Sequence, residues 1–592
     1  MTTPTGSQPT GASPLKKYGP LIGIVVVILI IAGAVTLAGK KDTTQSGAST
    51  TGTGGNTTAS GGLPSGDAPS DVPMTYAQAK KAGKENTLQW DDNCDKTTGR
   101  IKEPSVYAPP CLPKASADNG GATSPGVTAD KITIVNYTPP DNADILSKFT
   151  SNLDPKDKVI ETRAKYGEMF DKVYQTYGRK VDIVEFDATG APDDPTAAQA
   201  DAVNVAEKFK PFASLGGPVL TPAYAEELAR RNIICIGCGV SLPDKFYQDH
   251  SPYIWGPQPT PEQFLVNLGD FVTNRVAGRK ASFAGDDDLK NKDRVFGVVH
   301  FEQDPPVFTG IDDQVKQCGS SLGWAAADTE TYLFDIGKMP DRATTIIAKM
   351  KAAGVTTIVF LGDPIMPIYL TQQATAQNYH PEWLVTGTVL TDTTVLGRFY
   401  DPAQWAHAFG LSNLAARTPQ TQVEPYRLYQ WFFGTPPPAV NTSALIYIPM
   451  QQIYLGIHMA GPNLSPQTFK DGLFNYPPSG GGATNPQVSY GDHGYFKMIP
   501  PGQCTATAPR PDYLGSDDVT EIWWDANATG PDEQGKTDKK GMWRYANNGK
   551  RYLPGQMPKT ATDAFKMENT ITILDKPPAD DTAPNYPSPN AK

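Results

Sequence analysis

Between Lys131 and Thr388 short apolar runs alternate with amphipathic stretches, and each run stops at glycine, proline or small polar residues. The runs are Ile132–Tyr137, Val181–Phe186, Phe212–Gly217, Ile233–Cys238, Arg294–His300, Thr356–Gly362 and Glu382–Gly387. Their centres are nearly continuous Ile, Val, Phe and Leu, which predicts parallel strands covered on both faces. Between them, Pro195–Lys210, Pro222–Arg231, Pro261–Ala277, Gly310–Leu322 and Asp341–Ala353 predict helices. This alternation implies an α/β fold of two doubly wound parallel-sheet lobes. In such sheets ligands settle beyond the carboxyl ends of the strands, where connections diverge and helix N-termini point outward. The strand-end loops are therefore where function is sought.

At 592 residues the chain exceeds one ordinary domain, so two lobes plus appendages are expected. A formal net charge of -10, with no large lysine or arginine cluster, speaks against a nucleic-acid partner. Pro20–Gly39 is uncharged and apolar, with Lys16 and Lys17 before it. It matches the roughly 20 residues that cross a bilayer and exceeds the roughly 7 to 15 of a signal-peptide core, which predicts a retained transmembrane anchor. Cleavage after Ala38 is the competing reading. Lys40 and Lys41 balance the upstream pair, so the charge rule orients the segment only weakly. The expectation is a single-pass cell-membrane protein with residues 1–19 as a short cytoplasmic tail and its main body on the extracytoplasmic side. Residues 40–73, rich in Thr, Ser and Gly, predict a flexible linker, and residues 561–592 a mostly disordered tail.

The six cysteines, Cys94, Cys111, Cys235, Cys238, Cys318 and Cys504, suit an exported, disulfide-bonded chain. Cys94 and Cys111 form the expected local pair within an N-terminal extension, residues 74–126. Cys235 and Cys238 pair with each other or with distant partners, and spacing leaves both open; Cys318 is assigned to Cys504. The CIGC motif ends a strand and runs into a turn, whereas a redox motif opens a helix, so a structural disulfide is expected. The six histidines show no metal-ligand spacing, and no nucleophile elbow, phosphate loop or zinc motif occurs. No cofactor, metal or catalytic residue is therefore assigned. Asp525-Ala-Asn527-Ala-Thr529-Gly530 is reminiscent of a calcium loop, but Lys536 stands at the twelfth position, so an Asx-rich turn is the better reading.

The segments ITIVNY, VDIVEFDATGAPDDPTAAQADAVNVAEKFKPFASLGG, RRNIICIGCGVS, DRVFGVVHFEQD, DRATTIIAKMKAAGVTTIVFLGD and EWLVTG, in that order, resemble the type 1 periplasmic binding proteins. The resemblance is to the leucine/isoleucine/valine-binding group, which serves branched-chain amino-acid and amide ABC transporters, and it covers about Thr128–Pro558. It implies two lobes joined by three crossovers and closing on a small ligand: residues 127–255 as lobe 1, 256–388 as lobe 2, 389–475 returning to lobe 1, and 476–560 returning to lobe 2 with a C-terminal extension.

The family's contact loops fall on Gly217, Pro218 and Val219; on Gly239 and Ser241 within Gly237–Ser241; on Phe301–Phe308, with Phe301 and Phe308 as aromatic contacts; near Gly362 and Asp363; and at Thr386–Thr388. Pro218 cannot donate an N–H, and Thr388 stands where family members carry an acid, leaving Asp363 or Asp392 as the partner for a ligand amine. Tyr137, Trp255, Phe301 and Phe308 suit an apolar or planar ligand, or else pack the core. The resemblance implies a binding protein, not an enzyme, that captures an amino acid, amide or related small molecule for an ABC permease. The alternative is an envelope scaffold or sensor of the same fold.

Overall fold

The computed structural model describes residues 71–116, 118–138, 154–191, 193–218, 220–239, 242–256, 258–302, 324–498 and 508–590. Pro20–Gly39, nearly all of the linker, the Gly310–Leu322 segment, Cys318 and Cys504 lie outside the described residues. Among the described residues no helix is long and apolar enough to cross a membrane.

The first sheet contains Lys131–Thr138 (β1), Lys180–Asp187 (β2), Ala213–Leu215 (β3), Ile234–Ile236 (β4) and Ile254–Trp255 (β5), all parallel in the order β2-β1-β3-β4-β5. Its helices are Lys156–Val173 (α1), Pro195–Phe209 (α2) and Ala223–Arg230 (α3). Helix α2 starts where the Asp194 carboxylate accepts from the backbone N of Thr196 and Ala197, with Pro195 preset in the first turn. It stops at Lys210, whose φ of 46° is left-handed.

The second lobe opens with Pro261–Phe271 (α4), which continues as a wider π turn over Val272–Val276. Its parallel strands are Phe296–Phe301 (β6), Ala326–Tyr332 (β7), Thr357–Leu361 (β8), Glu382–Val385 (β9) and Ala408–Ser412 (β10), with Met339–Ala352 (α5) and Met366–Ala376 (α6) between them. Successive residues feed opposite faces. Val299, Ile358, Phe360, Trp383 and Val385 enter one core, while Val298, Val359, Leu361, Leu384 and Phe409 enter the other. This two-sided burial is why the strands read as continuous apolar runs.

The chain returns to the first lobe as Glu424–Phe433 (α7), Ser443–Ala460 (α8) and Pro466–Phe474 (α9), which share that lobe's core; Tyr454 of α8 stacks 4.9 Å from Phe170 of α1. It then returns to the second sheet as Val519–Asp525 (β11), Met542–Tyr545 (β12) and Arg551–Tyr552 (β13), with β11 antiparallel to β10 and to both of its successors. Three connections thus pass between the lobes, at 256–260, 413–423 and near 515–518. They are bonded to one another or to their flanks: Ala416 N donates to Ala483 O (2.8 Å), Asp517 N to Gln487 O (3.1 Å) and Gly256 N to Tyr513 O (3.3 Å).

Several expectations are corrected. The lobe 2 boundary moves beyond 388, because β10 lies beside β9, and Val389, Leu390, Val395, Leu396 and Trp405 fill the second core. The β10 run is short and centred on Gly410, where an added Cβ would lie 2.0 Å from Val385 O, so it lacks the branched side chains that mark a strand. The second return also begins later than 476, since Tyr476, Tyr490, Tyr513 and Leu514 belong to the first core. The tail expected to be disordered is bound along 561–590. Glu521 Oε1 accepts from the N of Asp563 (2.7 Å) and Ala564 (3.1 Å), Leu574 N donates to Arg417 O (2.8 Å), and Tyr586 OH donates to Asp95 Oδ2 (2.8 Å). Beside this polar pairing, Phe565 packs 4.7 Å from Phe283 and 5.2 Å from Trp523, and Ile571 and Leu574 pack against the second core.

Cys94–Cys111 and Cys235–Cys238 are both disulfide-bonded, which resolves the open CIGC pairing in favour of the local bond. Asp525 Oδ1 accepts from the N of Asn527 and Ala528 while Oδ2 meets Arg544 Nε at 2.6 Å, an Asx turn with its acid already neutralised.

Glu382, fully buried at the start of β9, is held by Arg294 at 2.7 and 2.9 Å, by Thr357 Oγ1 at 2.6 Å and by Phe283 N at 3.0 Å. Arg294→Leu removes the cation and strands that carboxylate. The expected loss is about 3–5 kcal/mol, read as a lower urea midpoint, and an unchanged midpoint would show the pair is not needed.

Candidate ligand site

In each sheet the first strand lies between the second and the third: β1 between β2 and β3, and β6 between β7 and β8. Connections leaving the carboxyl ends of those neighbouring strands diverge, so each sheet has a switch point where a ligand can reach backbone groups. Tyr137, Gly216 and Gly217 stand at the first switch point, and Phe301, Gly362 and Asp363 at the second. Val219, Ser241 and Phe308 lie outside the described residues.

In the first lobe Tyr137 is 6% exposed and its hydroxyl donates to Asp201 Oδ2 at 3.0 Å. Asp201, on α2, also accepts from Thr189 N (3.0 Å) and Thr189 Oγ1 (2.6 Å), so one buried carboxylate ties the ends of β1 and β2 to a helix. The Tyr137 ring packs 4.8 Å from Tyr224. At Gly217 a Cβ would come within 3.0 Å of the Tyr224 ring and 3.1 Å of Cys238, so a side chain there would press on both. At Gly239 a Cβ would meet Leu242 at 2.9 Å. The Cys235–Cys238 bond is buried under this loop pair. Trp255 is not a rim aromatic: it is fully buried, its ring 5.2 Å from Tyr513 and 5.8 Å from Phe469.

In the second lobe Asp363 is buried with both oxygens engaged. Oδ2 accepts from Tyr332 OH at 2.5 Å, and Oδ1 accepts from Ile365 N (2.7 Å) and Met366 N (3.1 Å) where α6 begins. Burial pushes its pKa up, and these hydrogen bonds oppose the rise. Thr388 Oγ1 accepts from Gly362 N at 3.0 Å and stands 3.2 Å from Thr386 Oγ1, locking two strand-end loops together. Phe301 is half-buried, its ring 6.5 Å from Tyr332.

Val389 (φ 42°) and Leu390 (φ 66°) follow Thr388, both in the left-handed region that a branched side chain resists. Backbone bonds from Thr391 N to Thr388 O and from Thr393 N to Leu390 O hold them there. Asp392 comes next, 4% exposed; Oδ2 accepts from Ser412 Oγ at 2.5 Å, while Oδ1 has no protein partner. Burial pushes the Asp392 carboxyl up to about 7. Asn413 Oδ1 is likewise buried without a partner. The two side chains flank Gly387, where a Cβ would lie 3.3 Å from Asp392 Oδ2 and 3.2 Å from Asn413 Oδ1.

The structure therefore gathers Asp363 and Thr388 into a self-satisfied network and leaves Asp392, beside Asn413, with open acceptor capacity. Of the carboxylates considered for a ligand amine, Asp392 retains it. Sequence reading missed Asp201, Tyr332, Ser412 and Asn413. The last two were legible in principle, since Ser412 ends a strand and Asn413 follows it, but Gly410 hid that strand.

No family model and no curated protein matches the chain. Solved structures of similar shape include a fatty acid ABC transporter substrate-binding protein from Thermomonospora curvata, 14% identical, covering 71% of this chain and 94% of that one with a TM-score of 0.40. A solute binding protein of an ABC transporter from Rhodopseudomonas palustris, in complex with 3,4-dihydroxy benzoic acid, is 12% identical over 72% of this chain and 97% of that one, TM-score 0.42. A branched-chain amino acid transporter substrate binding protein from Streptococcus pneumoniae, in complex with isoleucine, is 11% identical over 70% and 100%, TM-score 0.41. Likenesses this remote carry no ligand across.

Two variants probe the second-lobe rim. Asp363→Ala removes a helix-start acceptor and is expected to lower stability by about 0.5–2 kcal/mol in urea titration. For Asp392 the native carboxyl titrates near 7, above the roughly 4 of a free chain, so the folded state binds the proton more tightly. Its stabilising contribution is complete below about pH 4 and is lost as pH rises through 7. Asp392→Asn is expected to flatten that fall and to be more stable than the parent at pH 8 by about 1–3 kcal/mol; parallel stability curves from pH 4 to 8 would refute the assignment.

Proposed function

We propose that this protein is an extracytoplasmic solute-binding protein that captures a small molecule between its two lobes and delivers it to an ABC permease. The observation that carries the reading is the duplicated switch point: two parallel sheets in one chain, each with its first strand between the second and third, linked by three crossings. A chain crossing between two lobes can hinge at those connections, and a ligand touching both sets of strand-end loops stabilises the closed form by its differential contacts. In this reading Pro20–Gly39 tethers the body to the membrane beside its permease.

The ligand carries a hydrogen-bond donor, an amine or hydroxyl, for the open oxygens of Asp392 and Asn413. It also has an apolar or planar body for Phe301. An amino acid, an amide and a hydroxylated aromatic acid all meet this description. One observation favours the scaffold alternative: Tyr137, Asp363 and Thr388 are already hydrogen-bonded within the protein.

Native mass spectrometry of the full chain in detergent, followed by a thermal-shift screen of amino acids, amides, short peptides and aromatic acids, tests the reading. A co-purifying molecule is expected, or a melting temperature that rises with the logarithm of ligand concentration. Asp392→Asn is expected to weaken an amine-bearing ligand by about 1.5–3 kcal/mol. A folded protein with no response across the panel shifts the weight to the scaffold.

A further inference from the structure

The C-terminal tail joins the second lobe to the first separately from the three crossings. Its earlier part belongs to the second lobe. Thr562 N donates to Arg275 O at 3.1 Å, Asn548 N donates to Asn569 O at 2.8 Å, and Ile571 pairs edge to edge with Tyr545 of β12. At Leu574 the tail meets the second crossing through Arg417 O, and at Asp581 it meets the segment that leads to the third. Asp581 is 4% exposed, and its carboxylate accepts from Thr484 N at 2.6 Å and from Asn485 Nδ2 at 2.9 Å. A Cβ on Gly482 would collide with that carboxylate, so the 482–485 loop is moulded on the acid.

Beyond Asp581 the tail lies on the first lobe. Trp431 Nε1 of α7 donates to Tyr586 O at 2.9 Å, and Ser588 Oγ donates to Phe432 O at 3.3 Å. The Tyr586 hydroxyl ends on Asp95 of the N-terminal extension. That extension is itself part of the first lobe: Ile101, Ala108 and Leu112 enter its core, and Asn93 Nδ2 donates to Val173 O of α1 at 3.0 Å. The tail is therefore anchored on both lobes and on the loop between them.

Little slack separates these anchors. Asp581 follows Leu574 by seven residues and Tyr586 follows Asp581 by five. The longer stretch reaches at most about 25 Å when fully extended. Pro577, Pro578, Pro584, Pro587 and Pro589 fall in this part of the chain. Proline-rich segments are stiff and extended, because each ring fixes its φ. Hinge motion is absorbed by a few loop residues that change φ and ψ, which the crossings can supply and these prolines cannot.

We infer that residues 575–590 are a strap, a fourth link between the lobes that limits how far they swing about the crossings. A wide swing must break the bonds at Asp581 or at Tyr586, since the strap cannot lengthen. The inference rests on the lobes being able to hinge, as solute capture does, but it requires no ligand.

The test is single-molecule energy transfer on the full chain in detergent, with no ligand added. Dyes are carried on noncanonical residues at Ala200 of α2 and Ala348 of α5, both exposed, one on each lobe. The parent chain is expected to give one narrow distance distribution. A chain ending at Asp575 keeps the second-lobe part of the tail and is expected to broaden that distribution while still melting cooperatively. The full-length double variant Asp581→Ala, Tyr586→Phe is expected to broaden it less, and it decides alone should the shortened chain fail to fold. Unchanged width in the deciding variant overturns the strap even where the melting temperature falls, because the tail would then be packing only. A parent distribution already as broad as the shortened chain's overturns it too. Solute capture is read by the thermal-shift screen of the parent, so failure of one reading is distinguishable from failure of the other.

Discussion

A parallel sheet has no face it can leave to water, because its crossover helices lie on both sides and its side chains must bury in both directions. The rest of this structure follows from meeting that requirement twice in one chain. The second sheet separates two cores, and consecutive residues such as Val298 and Val299, or Leu384 and Val385, serve them alternately. The first sheet lacks helices enough in its own sequence segment, and α7, α8 and α9 must come back from beyond the second lobe to cover it. The crossings are thus the consequence of completing two cores.

Crossing segments carry polar backbone through the region between cores, and the chain satisfies it with buried charge. Asp518, 3% exposed, meets Arg551 Nε at 2.8 Å, and Arg551 also reaches the carbonyl oxygens of Asn413 (2.9 Å) and Leu414 (2.6 Å), so β13, the second crossing and the third are joined at one guanidinium. Glu521 does the same on the other side, meeting Arg275 Nη2 at 2.8 Å and capping the tail at Asp563 and Ala564. Burial pushes Asp512, Asp517 and Asp518 upward in pKa, with Arg551 opposing the rise at Asp518. Buried ion pairs of this kind fix an arrangement more than they add stability, which suits segments that set how two lobes are joined.

The same economy of partners marks where a ligand has something to gain. At the strand ends most polar groups are spoken for, and the left-handed Val389 and Leu390 deliver one acid, Asp392, with an oxygen to spare. Strain and unpaired polarity both oppose folding, and they persist where the surrounding packing over-determines them.

The amino-acid sequence by itself determined the α/β class, the position of seven strands and most of their helices, and the strand ends as the place to look, because apolar periodicity and helix-start chemistry are local properties. It also marked Cys94 with Cys111, whose pairing needs only a short loop. Tertiary structure decided what depends on distant neighbours. Whether Asp363 or Asp392 keeps a free oxygen turned on Tyr332 and Ser412, which lie far from them in the chain. Trp255 became core because Tyr513 and Phe469 came to meet it. Residues 408–412 became a strand through β9, and residues 561–590 gained order through Glu521, Arg417 and Asp95. Local pattern says which surfaces must be covered; only the folded chain says by what.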